Sequence, residues 1–132
     1  MSLQTGGLHH LAIRVSDLAQ AKRFYTDTLG FQHVLEEPGL VLVNAHGTFL
    51  GLRGDAPETK PEDRFDPFRI GLDHLALAVP TLESLQELHQ QLDAAGVPNN
   101  GVEQDALLGA TYISFYDPDG IAWELYAMPA AA

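Results

Sequence analysis

One segment of this chain is written twice. Gly7-Leu-His-His-Leu-Ala-Ile-Arg-Val15 returns as Gly71-Leu-Asp-His-Leu-Ala-Leu-Ala-Val79, both of the form Gly-Leu-x-His-Leu-Ala-x-x-Val. Each copy runs into a helix start with a leucine at the matching place, Leu18 or Leu82. Self-similarity on this scale means that one structural unit is built twice. A fold for this chain must therefore hold two like modules, each opening with a histidine, His10 or His74, at the same register. At 132 residues they make one domain of ordinary size, 1–132, in which two small modules share a core.

Within each copy, residues of two kinds alternate. Leu11, Ile13 and Val15 stand against His10, Ala12 and Arg14; Leu75, Leu77 and Val79 stand against His74, Ala76 and Ala78. That is the period-two pattern of a strand with unlike faces. Ser16 or Asp17 can cap a following helix that runs to about Leu29 and ends at Gly30, with Leu18, Ala21, Phe24, Tyr25 and Leu29 as its apolar stripe. Thr81 caps a second helix, striped by Leu82, Leu85, Leu88, Leu92 and Ala95 and closed by Gly96. Strands are expected at 31–36, 40–44 and 48–53 after the first helix, and at 102–105, 110–116 and 121–127 after the second. Each module then reads β-α-β-β-β, the first over 7–53 and the second over 70–128. The charged, proline-bearing stretch 54–69 links them. The fold class is α+β. Each helix must cover the Leu/Ile/Val face of its sheet, which leaves the histidine-and-alanine face as a concavity.

The formal net charge of −11 disfavours nucleic acid and anionic membrane as partners, since phosphate binding needs a basic surface. The absence of cysteine removes disulfides, thiolate metal sites and cysteine nucleophiles. No apolar run approaches a membrane span, and the start lacks the layout of a signal peptide. A cytoplasmic protein acting on a small molecule is the expectation.

The turn Asp117-Pro-Asp-Gly120 tells which residues share the second concave face. Proline at its second place and glycine at its fourth suit a three-residue loop ending in a left-handed glycine. Such a loop pairs Asp117 with Ile121, and so sets Tyr116 opposite Ala122, Ser114 opposite Glu124, and Tyr112 opposite Tyr126. Opposed residues point to the same side. Glu124, flanked by Trp123 and Leu125 in mid-strand, is costly there without a cation. Two histidines and one carboxylate on concave faces are the facial-triad ligand set for a divalent metal with open positions. His9, next to His10, is expected to point to the opposite face. The same turn logic at Asn44-Ala-His-Gly47 pairs Val43 with Phe49 and Val41 with Gly51, giving module one an apolar wall.

With both histidine openings in register, Phe115-Tyr-Asp-Pro-Asp-Gly-Ile-Ala-Trp-Glu-Leu125 resembles the vicinal oxygen chelate superfamily over nearly the whole chain. That superfamily includes glyoxalase I, bleomycin-resistance proteins, extradiol dioxygenases, fosfomycin-modifying enzymes and methylmalonyl-CoA epimerase. The resemblance implies paired half-barrels enclosing a metal held by His10, His74 and Glu124. The half-barrels pair within one chain or between the two chains of a homodimer. Departures narrow the chemistry. Gly51 stands where glyoxalase I carries a second glutamate. Ala12 stands where fosfomycin-modifying enzymes carry a threonine. Ser114 stands where those enzymes and the extradiol dioxygenases carry a tyrosine, with Tyr112 one step along the same face.

The expected function is thus metal-dependent chemistry on a small oxygenated substrate, slightly favoured as dioxygenase-like. A glyoxalase-like lyase or isomerase, or a cup that sequesters a ligand without chemistry, are the alternatives. Fe(II) or Mn(II) is the favoured ion, with Zn(II), Ni(II) and Co(II) also compatible. Tyr112 and Ser114 are the candidate catalytic residues. Arg14, Val43, Phe49 and Tyr126 are the candidate substrate-binding residues.

Overall fold

The computed structural model describes residues 1–127, so the expected module end at 128 lies outside the described residues. The chain folds as two compact units divided between Asp63 and Arg64. The first contains β1 (His10–Arg14), α1 (Leu18–Arg23), β2 (Gln32–Glu37), β3 (Leu40–Ala45) and β4 (Thr48–Arg53). The second contains β5 (Leu75–Val79), α2 (Leu82–Ala94), β6 (Asn99–Asp105), β7 (Ala110–Tyr116) and β8 (Ala122–Ala127). Each unit is a β-α-β-β-β module with a four-stranded sheet, ordered β1-β4-β3-β2 or β5-β8-β7-β6. First and last strands pair in parallel and the others antiparallel. The α+β class comes from the alternation and the two capped helices.

Burial explains why these segments pair as they do. In the first unit, Leu11, Leu50 and Val43 form one cross-strand row, and Ile13, Leu52 and Val41 the next. In the second, Leu75, Trp123 and Phe115 form a row beside Leu77, Leu125 and Ile113. These rows are the core, closed by α1 and α2, which bring Ala21, Leu85 and Leu92 into it. Burying a large apolar side chain contributes about 1.5–3 kcal/mol, so the rows hold the sheets to the helices. Asp17, not Ser16, caps α1 by accepting from the Gln20 amide (3.0 Å), and Thr81 caps α2 by accepting from the Ser84 amide (3.0 Å).

The first helix does not remain α-helical to Leu29. Over Phe24–Thr28 it widens into a π turn, with the Leu29 amide donating to the Phe24 carbonyl (2.9 Å). The Thr26 hydroxyl donates to the Lys22 carbonyl (2.6 Å) and so competes for an acceptor that the α-helical ladder would use. Tyr25 is fully buried here, stacked on Phe31.

The β3–β4 hairpin corrects one expectation. Its loop is the two-residue turn His46-Gly47, both residues at positive φ, and Ala45 pairs with Thr48. The pairing is one residue away from that expected: Val43 faces Leu50 and Val41 faces Leu52. Because side chains alternate, that single step moves both valines to the helix-covered face. Val43 is fully buried and is core, not substrate wall; Leu42 and Asn44 take its place on the other face.

The β7–β8 hairpin has the expected geometry. The Asp117 amide donates to the Ile121 carbonyl (3.1 Å), the Gly120 amide to the Asp117 carbonyl (2.9 Å), and Gly120 sits at φ +79°. Asp117 Oδ1 accepts from the amides of Asp119 (3.0 Å) and Ile121 (2.7 Å). A Cβ at Gly120 would meet Arg64 Nη2 at 3.3 Å besides the left-handed backbone. Gly120→Ala should therefore lower stability in urea unfolding by about 1–2 kcal/mol. Gly6→Ala, where a Cβ meets nothing within 4 Å, should stay within about 0.5 kcal/mol of the parent.

Candidate functional site

The uncovered face of the second sheet is polar. Glu124 lies between Ala76 and Ser114, and Tyr126 between Ala78 and Tyr112, in adjacent rows across β5, β8 and β7. Along β8, and in β7 from Tyr112 onward, these residues are half-buried and alternate with buried ones. Ala76 and Ala78 contribute only methyl groups, which opens the face beside Glu124.

His74, one residue before β5, comes to Glu124 directly: Nε2 lies 2.8 Å from Oε1, and the Glu124 side chain is 12% exposed. On its other side, His74 Nδ1 donates to Asp73 Oδ1 (2.6 Å). Burial pushes the Glu124 carboxyl above its ordinary pKa. His74 opposes that shift, while Asp73, Asp105 and Glu103 add to it. One imidazole is thus gripped by two carboxylates in an acidic neighbourhood. Among the described residues, no group of three His, Asp or Glu side chains forms a ready metal cage within either unit. The pair nevertheless suits a divalent ion. Ligand atoms at about 2.1 Å from one ion, at right angles, lie about 3 Å apart, close to the spacing of Nε2 and Oε1. Asp73 engages Nδ1, so Nε2 is the nitrogen turned to Glu124, the arrangement that carboxylates behind metal-bound histidines adopt.

The tyrosines are held by carboxylates. Tyr112 and Tyr126 stack with ring centroids 4.9 Å apart and planes 8° from parallel. The Tyr126 hydroxyl donates to Asp105 Oδ2 (2.8 Å), which pushes its pKa up to about 12. The hydrogen bond from Tyr112 to Glu103 raises the Tyr112 pKa as well. Both phenols therefore stay protonated near neutral pH. Tyr116 is tied aside by Asn100, whose Nδ2 donates to its hydroxyl (2.9 Å).

The uncovered face of the first sheet is built on the same register with different residues. His10 pairs with Phe49, Ala12 with Gly51, and Arg14 with Arg53. Ala12–Gly51 corresponds in register to Ala76–Glu124, so the first unit has glycine where the second has its carboxylate. Phe49 is 38% exposed. His9 contacts His10 instead of turning away, with Nδ1 atoms 2.7 Å apart and rings edge to face. It precedes β1, so strand alternation does not govern it. Sequence reasoning missed Asp73 and His9 as partners of the two histidines. The signal was there: both occupy the x of Gly-Leu-x-His, and both can hydrogen-bond a neighbouring imidazole. Asp105 and Glu103, the anchors of the tyrosines, were missed because β6 carries no apolar alternation to give its register.

Comparison with known proteins gives the lineage. Residues 7–125 match the family model of the Glyoxalase/Bleomycin resistance protein/Dioxygenase superfamily. The uncharacterized protein YwkD of Bacillus subtilis (strain 168) is 34% identical over 126 residues, covering 90% of this chain and 94% of YwkD. A glyoxylase/bleomycin resistance protein/dioxygenase domain from Frankia sp. EAN1pec superposes with a TM-score of 0.82 at 25% identity, over 98% of this chain and 96% of that one. A variant of the fosfomycin resistance protein FosX from Listeria monocytogenes was solved with Mn(II) and 1S,2S-dihydroxypropylphosphonic acid. It shares the fold at a TM-score of 0.75 and 19% identity, over 96% of this chain and 93% of that one. Among the described residues, no helix is long and apolar enough to cross a membrane.

The Tyr126–Asp105 bond has a measurable consequence. Asp105 is held below its ordinary pKa of 3.8, first by the Tyr126 hydroxyl and then by the Leu107 amide. A depressed carboxyl contributes stability above its unfolded pKa and loses it as pH falls through the folded one. In a carboxyl-carbon NMR titration, the Asp105 midpoint should lie below 3.8 in the parent and move up in Tyr126→Phe. The variant should correspondingly lose less stability on acidification below about pH 4.

Proposed function

We propose that this chain, which belongs to the glyoxalase/bleomycin resistance protein/dioxygenase superfamily, is a metal-dependent enzyme acting on a small oxygenated substrate. Its divalent ion is held by His10, His74 and Glu124. The observation that carries this reading is the Glu124 carboxylate, desolvated, close to other carboxylates and 2.8 Å from an imidazole nitrogen. A divalent cation resolves that crowding, and the matching register of His10 and His74 in the repeat supplies the third ligand. Fe(II) or Mn(II) is favoured. Bound there, the ion would supply Lewis acidity to substrate oxygens or, as Fe(II), reducing power toward dioxygen.

The chain's own residues set the rest. Asp73, bonded to His74 Nδ1, would orient the ring so that Nε2 meets the ion. Ser114, opposite Glu124, offers a hydroxyl to a substrate oxygen. Tyr112, kept neutral by Glu103, orients substrate as a hydroxyl and does not act as a phenolate base at neutral pH. Tyr126 and Tyr112 together make a flat wall for a ring or chain, and Phe49 adds an apolar contact beside His10. Gly51 provides no second carboxylate to carry a proton, which favours dioxygenase-like chemistry over a glyoxalase-type isomerisation. A second reading, capture of a cationic aromatic ligand without chemistry, is favoured by the stacked tyrosines with their Glu103 and Asp105 partners.

Elemental analysis of protein purified without chelator or nickel resin tests the proposal. Near-stoichiometric iron or manganese, lost in His74→Ala, is the expected result. Asp73→Ala keeps the proposed ligands and should bind the ion about 10–100-fold more weakly. Zinc, nickel or cobalt at that level would shift the assignment to a lyase or isomerase. No metal even after reconstitution would overturn it in favour of ligand capture.

A further inference from the structure

Two of the seven lysine and arginine side chains stand side by side at the far end of the His10 face. Opposed residues on paired strands project to the same side, so β1 and β4 present three rows there: His10 with Phe49, Ala12 with Gly51, and Arg14 with Arg53. Neighbouring strands lie about 4.8 Å apart, which puts both guanidinium groups within reach of a single small anion. Like charges placed opposite one another destabilise a sheet unless something of opposite charge joins them. Among the described residues, neither arginine has an Asp or Glu within ion-pair distance. Glu37 shares their row, but Leu40 stands between it and Arg53. Arg14 Nη1 donates to the Gly54 carbonyl (2.5 Å), which anchors that guanidinium and leaves its other N–H groups available.

The middle row is a bare floor. Gly51 has no side chain, and a Cβ placed there would come only to ordinary contact with Ala12 (3.5 Å) and Leu40 (3.7 Å). Four residues of strand, about 13 Å, separate the His10 row from the arginine row. Reduced by the reach of the arginine side chains, that span suits a ring-sized body. The chain's net charge of −11 repels anions at long range, so an anion bound here is selected by local donors and not by the general field.

We infer that Arg14 and Arg53 form the binding site for an anionic group, a carboxylate or a phosph(on)ate, on the substrate of this enzyme. The orientation of that substrate, with its oxygen donors toward His10, rests on the proposed metal function; the anion site itself does not. Calorimetric titration of chelator-treated, metal-free protein at low ionic strength keeps the two apart. The probes are phenylacetate, phenylphosphonate and the neutral phenylacetamide. At least one anion should bind tenfold or more tighter than the amide, weaken at least tenfold in Arg53→Gln and in Arg14→Gln, and recover in part in Arg53→Lys. Preference for phenylphosphonate would assign the site to phosph(on)ates, and preference for phenylacetate to carboxylates. Equal binding of anion and amide, binding unchanged in both Gln variants, or no binding of either anion would overturn the inference, whatever the metal content.

Discussion

Glu124 owes its place to the β7–β8 register, which the Asp117–Gly120 turn sets and the core holds. In that register Trp123 and Leu125 enter the core, and Glu124 and Tyr126 face away from it beside Ser114 and Tyr112. Side-chain direction has a period of two, so a slip of one residue would drive the carboxylate under α2 and bring the tryptophan out. Burial of Phe115, Ile113, Trp123 and Leu125 resists such a slip far more strongly than the polar contacts could. The core thereby enforces the position of a carboxylate that is itself unfavourably desolvated. That cost is of the kind found at functional sites, where a locally unfavourable group persists because its surroundings leave it no alternative.

The repeat makes the two units direct controls for one another. Both bury the same kind of rows under a helix, both pair first and last strands in parallel, and both carry a histidine at the head of the uncovered face. They differ in the rows beyond that histidine. The second unit holds Glu124, stacked tyrosines and their acidic anchors; the first holds Phe49, the bare Gly51 and two arginines. Duplication supplied a common scaffold and left the polar equipment free to diverge, because residues on the uncovered faces contribute little to either core.

The architecture was legible because it depends on periodicity and caps. The two modules, the strand–helix–strand order and the β7–β8 register all come from alternation, from Thr81 and Asp17, and from the Asp-Pro-Asp-Gly turn. The β3–β4 register was not legible in the same way. Asn44-Ala-His-Gly47 admits loops of two lengths, and His46 at positive φ is a conformation that sequence alone does not announce. That ambiguity is what misplaced Val43. At the candidate site, His74 and Glu124 were readable as a pair, Glu124 from the mid-strand alternation of β8 and His74 from the repeat that sets it in register with His10. Asp73 and His9 were not, because they lie just outside the strands and the two copies of the repeat differ at their place.

The central claim is that the crowding around Glu124 and His74 exists to hold a cation, and an anomalous-difference map from manganese-soaked crystals, collected above the metal absorption edge, tests it most directly. The account predicts one strong peak within about 2.3 Å of both His74 Nε2 and Glu124 Oε1, with His10 as a further ligand. A peak elsewhere, or none beside that pair at saturating manganese, would contradict it.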